Sequence, residues 1–219
     1  MHIFSTSNLN GVLRAVSSGL RYPVIIVLIL IMAATLMLLG SLLVEIFTER
    51  RQLKVSMPRL VDQLRTTGRN GEKAMTEAIT SSGLLRRQKT VLTELIRHPD
   101  LTAEMRQALA DRLVEEEQSR LERIVKLSDL LAKLGPIFGL LGTLIPLGPG
   151  IIALGQGDTY TLSQSLLTAF DTTVAGLISA AVAMVISSVR KGWYANYMSI
   201  LETLADCVLE VENDHAARE

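Results

Sequence analysis

Asp171 is the one charge in an apolar stretch that runs from about Ser163 to Val189. Around it Gln164, Thr168, Thr172, Ala175 and Ser179 recur every three to four residues. On a helix that spacing gathers them into one polar-to-small stripe. A carboxylate at membrane depth costs roughly 2.5–3.5 kcal/mol on insertion scales, and such groups mark ion routes by default. The alternative is a structural acid, protonated or hydrogen-bonded to Thr168 or Thr172. Two further hydroxyls bear on the choice. Thr143 follows Leu134, the start of another apolar stretch, by nine residues, and Thr173 follows Ser163 by ten. If the two stretches are antiparallel helices, both hydroxyls sit near mid-membrane. A membrane threonine commonly bonds its own backbone, but two at matching depth beside an acid suit a hydrated proton or sodium path.

Other chemistries find little support. His2, His98 and His215 are scattered without metal-ligand spacing, and Cys207 is the only cysteine, which excludes an internal disulfide framework and any multi-cysteine zinc site. We expect no metal, no cofactor and no enzymatic activity. Lys+Arg and Asp+Glu number 22 each, so no global positive field holds the chain on nucleic acid, although local patches are compatible with neutrality.

The elements that must position these groups are membrane helices. Residues 23–44 carry no charge and rise ~33 Å, enough to cross a hydrocarbon core of ~30 Å. A signal peptide would be shorter and would end in a small-residue cleavage site; VEIFTERR follows instead. The second uncharged run, 134–157, is rich in Gly and Pro, which membrane helices tolerate. In it Gly135, Gly139 and Gly142 recur at four- and three-residue spacing, the pattern that lets helices approach closely. Pro146 and Pro149 would leave carbonyls without helical donors. Three such runs fit poorly with a soluble helical core. The expected fold is all-α: a polytopic membrane protein with three transmembrane helices and long cytoplasmic helical extensions.

Sixteen Lys and Arg residues, from Arg50 to Lys126, separate the first two runs, whereas residues 154–162 have none and Arg190 and Lys191 follow the third. The positive-inside rule then puts 47–128 and the C-terminus in the cytoplasm and the N-terminus outside; Arg14 and Arg21 sit on the disfavoured side. The expected organisation is an outer interfacial segment 1–22, helical or frayed; spans 23–46, 129–154 and 163–189; a cytoplasmic helical region 47–128; a short outer loop 155–162; and a cytoplasmic C-terminal helix 190–219. Trp193, Tyr194 and Tyr197 fall at the inner interface. GRNG at 68–71, SSG at 81–83 and HPD at 98–100 are breaks, with Asp100 or Thr102 available to cap a helix that continues to about Leu154. Glu115–Glu117 read as a solvated face. Leu201, Leu204, Val208 and Val211 form a stripe that needs a partner, either the chain's own 47–128 helices or another subunit.

GPIFGLLGTL at 135–144 and TTVAGL at 172–177, with Gly176 inside the latter, resemble the second- and third-span signatures of the MotA/TolQ/ExbB proton-channel family in its three-span form. The order of spans, the long segment after the first and the short loop agree, over roughly residues 20–205. The resemblance implies a homo-oligomer, a pentamer, embedded in the inner membrane, with the second and third spans lining a pore. Inside it would sit a dimer of a single-span ExbD/TolR/MotB-like partner whose aspartate carries the ion. It also implies that Thr143 and Thr173 match the family's pore threonines. The chain departs from the pattern in having Thr168 where a Glu is often found and Pro146 where a Gly is usual. Such a protein is a proton or sodium channel subunit of an energy-transducing motor complex. The alternatives are a membrane scaffold without conduction, which should tolerate loss of the polar stripe, and a self-sufficient pore that conducts without a partner.

Overall fold

The computed structural model describes residues 19–49, 57–68, 71–98 and 101–216. Among them all regular structure is helical. The helices are α1 (Arg21–Glu49), α2 (Met57–Gly68), α3 (Glu72–Ser81), α4 (Arg86–Ile96), α5 (Ala103–Gly155) and α6 (Thr159–Ala216). Three of them, over Tyr22–Phe47, Ala103–Gly155 and Thr159–Asn213, contain stretches long and apolar enough to cross a membrane. The chain is an all-α polytopic membrane protein. Most of the expected outer segment 1–22 lies outside the described residues, and α1 is already under way at Arg21.

The breaks in the helices follow local chemistry. Pro23 falls in the first turn of α1, where its missing N–H costs no bond. Thr102 caps α5, its hydroxyl accepting from the Met105 N–H at 3.3 Å; Asp100, the other candidate cap, is outside the described residues. The α5–α6 turn closes when Asp158 N–H donates to the Ala153 carbonyl at 2.9 Å, with Gly157 at φ +79° supplying the left-handed step. Asp158 then caps α6 through the Thr161 N–H at 3.0 Å. That cap starts the helix at Thr159.

Inside α5 the helix runs unbroken through Pro136, Pro146 and Pro149. Each proline withholds an N–H from the carbonyl four residues earlier, on Ala132, Gly142 and Ile145. Neighbouring protein makes such losses tolerable in a membrane span.

The chain forms two compact units. The first comprises the chain up to Ser41 together with Lys126–Ser188. Here α1 buries a narrow line, Val24, Leu28, Ile31 and Thr35, and leaves Ile29, Leu36 and Met37 exposed, as an all-round apolar helix in lipid should. Ile31 packs with Leu131 of α5 and Ala183 of α6. Asp129 of α5 accepts a 2.5 Å hydrogen bond from the Ser187 hydroxyl of α6.

The second unit comprises Leu42–Val125 and Val189–Glu219. Leu201, Leu204 and Val208 of α6 are fully buried against Leu64, Ile79, Leu92 and Ile96 of α2–α4, so the stripe finds its partner within its own chain. Tyr194 and Tyr197 pack on the same core.

The expected solvated face Glu115–Glu117 divides. Glu115 and Glu116 are exposed, but Glu117 is only 6 % exposed. Arg120 grips its carboxylate at 2.6 and 3.1 Å, the Tyr197 hydroxyl donates to it at 3.2 Å, and Arg87 lies 3.6 Å away. Glu117 faces inward because α6 passes beside it, a neighbour 80 residues distant in sequence. Burial works against ionisation of Glu117, yet Arg120, Arg87 and Tyr197 together hold it below the ordinary glutamate range. Burial, followed by the Glu117 charge, pushes the Tyr197 phenol up.

Two other buried arginines tie helices together. Arg190 of α6 pairs with Glu45 of α1 at 3.3 Å. Arg106 of α5 pairs with Glu212 of α6 at 3.4 Å and donates to the Leu101 carbonyl at 3.2 Å.

Candidate functional site

The membrane portions of α5 and α6 meet along glycines. A Cβ on Gly135 would lie 2.7 Å from the Gly176 carbonyl oxygen and 2.9 Å from the Ala180 Cβ; one on Gly142 would lie 2.6 Å from the Thr172 Cβ; one on Gly150 would lie 2.9 Å from the Ser165 Cβ. One on Gly139 would lie 3.4 Å from the Gly176 Cα. As the α5 number rises from 135 to 150, its α6 neighbour falls from 180 to 165, so the two helices are antiparallel. Gly135, Gly139, Gly142 and Gly176 all lie in this seam. Between helices in lipid, where water exclusion gives no drive, such backbone approach supplies dispersion contacts.

The seam fixes where the polar residues point. On α5, Leu131, Leu134 and Phe138 group with Ile31 of α1, on one side of the glycine stripe. Thr143, ~100° past Gly142, falls on the other. On α6, Thr172, Gly176 and Ala180 face α5; Thr173 lies ~100° to one side of Thr172 and Asp171 ~100° to the other. In an antiparallel pair of right-handed helices, the residue just after each contact stripe points to the same side. Thr143 and Thr173 therefore share the side away from α1. Asp171 is on the opposite flank with Gln164, and both are exposed.

The single stripe expected on α6 is thus divided. Thr172 and Ser179 are buried, Thr168 and Ala175 half-buried, and Gln164 and Asp171 exposed. The reason is angular: residues 171 and 172 are ~100° apart, so one can enter a glycine seam while the other leaves it. Nor are Thr173 and Asp171 side by side. Residues two positions apart on a helix differ by ~200°, which sends Thr173 and Asp171 to different flanks.

All four threonines donate to their own helix. Thr143 gives its proton to the Leu140 carbonyl at 2.7 Å, Thr168 to Gln164 at 3.0 Å, and Thr173 to Ala169 at 3.0 Å. Thr172 lies within reach of both Thr168 and Ala169, at 2.9 and 3.0 Å. With the proton so engaged, the lone pairs of each hydroxyl oxygen remain as acceptors. Thr143 and Thr173 are half-buried, so their oxygens can accept from water or hydronium, or coordinate a small cation. Among the described residues no group of three or more His, Cys, Asp or Glu is placed to hold a metal.

Sequence reasoning missed that Glu117, Asp129 and Arg190 turn inward to polar partners. The Glu117–Arg120 spacing of three hints at a pair, but nothing local marks it as buried.

A family model described as the MotA/TolQ/ExbB proton channel family matches residues 70–203, more than half of the chain. No match is found among curated proteins.

Proposed function

Because the chain belongs to the MotA/TolQ/ExbB proton channel family, we propose that it is an ion-conducting subunit whose path follows the side of the α5–α6 pair carrying Thr143 and Thr173. The observation that carries this is their convergence on one side, at one depth, away from α1. Two acceptor oxygens per chain do not enclose a path, so the function calls for a ring of copies with this side turned inward and α1 turned to lipid. A pentamer around a dimer of a single-span partner satisfies that need, the partner's acid binding and releasing the ion while the ring supplies water and acceptors. Proton or sodium flow would then drive motion of the partner, the subunit itself remaining a stator and not an enzyme. The Lys and Arg distribution puts the second unit and the C-terminus in the cytoplasm and the α5–α6 turn outside, in a bacterial-type inner membrane.

The test replaces Thr143 and Thr173 by Val, which keeps the shape and removes the acceptor. In complexes reconstituted with the native partner, each variant should lower ion flux about tenfold, the equivalent of one lost polar contact of ~1.4 kcal/mol, while subunit stoichiometry by mass measurement stays as in the parent. Parental flux in both variants would refute the path, and would favour the scaffold role instead.

A further inference from the structure

Asp171 lies on the far flank of α6, but a second acid lies on the flank of the threonines. Seven residues back from Gly135 is Ser128, and seven on from Ala180 is Ser187. Because Gly135 and Ala180 meet in an antiparallel pair, Ser128 and Ser187 continue the seam at one level. Asp129 follows Ser128 as Thr143 follows Gly142, and so points to the same side. The spacing agrees. Asp129 is fourteen residues from Thr143, and Ser187 fourteen from Thr173, within ~40° of four full turns and ~21 Å along the axis. The Ser187 hydroxyl donates to the Asp129 carboxylate at 2.5 Å. Asp129 is half-buried, as Thr143 and Thr173 are, and precedes the uncharged run of α5 by five residues.

Two polar groups near Asp129 call for water or a cation. The Ser128 hydroxyl is fully buried and has no hydrogen-bond partner among the described residues; an ordered water normally satisfies such a group. The Ala132 carbonyl, deprived of its helical donor by Pro136, lies within ~20° of Thr143 around α5. It therefore falls on the same flank, between the acid and the threonine. A backbone acceptor freed at membrane depth must meet protein or a watery cavity.

We propose that Asp129 is the inner station of the ion path: its carboxylate takes up the cation that passes the threonines and releases it to water on the cytoplasmic side, with Ser187 holding it in place. The direction of the path rests on the Thr143–Thr173 reading above. Carboxylate and hydroxyl oxygens accept a proton or coordinate sodium. Lys126 and Lys133, about one turn to either side on α5, weaken the hold on a cation, as a site that must also release requires.

The test uses the complex reconstituted with its native partner. Asp129→Asn keeps an oxygen that Ser187 can bond but removes the charge. It should lower ion flux at least about tenfold, the scale of one lost contact to a charged group, with thermal midpoint and subunit stoichiometry as in the parent. Ser187→Ala removes the bond between helices but keeps the acid, and should retain most of the flux. Parental flux in Asp129→Asn would overturn the proposal; so would an equal loss in Ser187→Ala, which would make the contact a structural tie. Should Asp129→Asn fail to accumulate or melt early, Asp129→Cys on a Cys207→Ser background gives the answer. Alkylation with iodoacetate installs a carboxylate and should restore flux, whereas iodoacetamide installs a neutral amide and should not; equal flux after the two refutes the station. Repeating the parental measurement without sodium tells the two cations apart. Loss in Asp129→Asn beside parental flux in both threonine variants would keep the acid and overturn the threonine path. The reverse would keep that path and overturn the station.

Discussion

The two units use opposite means to pack helices. In the membrane unit α5 and α6 touch through what is missing: the Cβ positions at Gly135, Gly142 and Gly176 are occupied by the neighbouring helix. In the second unit the same two helices are held by large buried side chains, among them Leu201 and Leu204, and by buried charge at Glu117 and Arg106. The solvent explains the contrast. Water rewards burial of a leucine by roughly 2 kcal/mol. Lipid rewards it hardly at all, so only closer approach improves the contact.

That contrast makes the seam the more brittle of the two. Gly176→Val should have the severest effect, because a Cβ there lies 2.6 Å from the Gly135 carbonyl oxygen and 2.8 Å from the Gly139 Cα, both backbone. We expect loss of folded protein after detergent extraction, scored by gel filtration. Gly40→Ala and Gly192→Ala, with nothing within 4 Å, should elute as the parent does. Equal behaviour of all three would mean that the seam does not hold the unit together.

Next comes Leu204→Ala in the second unit. A fully buried leucine should cost about 2–5 kcal/mol, seen as a lowered thermal midpoint. The fold should nevertheless survive, because a cavity can partly relax whereas a backbone clash cannot.

The buried charge adds a pH dependence that the seam lacks. Glu117 is held below its ordinary range, so its contribution is fully present above the unfolded glutamate value and is lost as pH falls through the lowered folded one. Tyr197 is shifted upward; its contribution is present below the ordinary phenol range and fades as pH rises beyond it. In acid-unfolding titrations, Glu117→Gln should be less stable than the parent at neutral pH, and the gap should close in strong acid. A constant gap would show that the loss comes from packing alone.

The smallest effect belongs to Arg65→Ala. Its 2.8 Å pair with Glu210 is exposed on both sides, and such pairs contribute little. The thermal midpoint should match the parent within error, and a clear drop would give exposed charge the weight expected only of buried pairs.

Much of this architecture was legible before any coordinate. The three apolar runs became the three candidate spans, the breaks at 68–71, 81–83 and 98–100 separate helices, and the Leu201–Val211 stripe is buried. The glycines that meet were visible as a repeat. Glu117 was not, because its burial depends on Tyr197 and Arg87, and no local pattern distinguishes it from Glu115 and Glu116. Asp171 was found by its isolation in apolar sequence, but its direction was not.

Sequence alone determined that the chain is all-helical and spans a membrane three times, since hydrocarbon thickness and the 1.5 Å rise leave no other use for runs of that length. It also determined which residues are small enough to let helices touch. Only the tertiary structure decided which side of α6 meets α5. One residue is ~100° of helix, so the choice of seam sends Thr172 inward, Thr173 to the side of Thr143, and Asp171 to the exposed opposite flank.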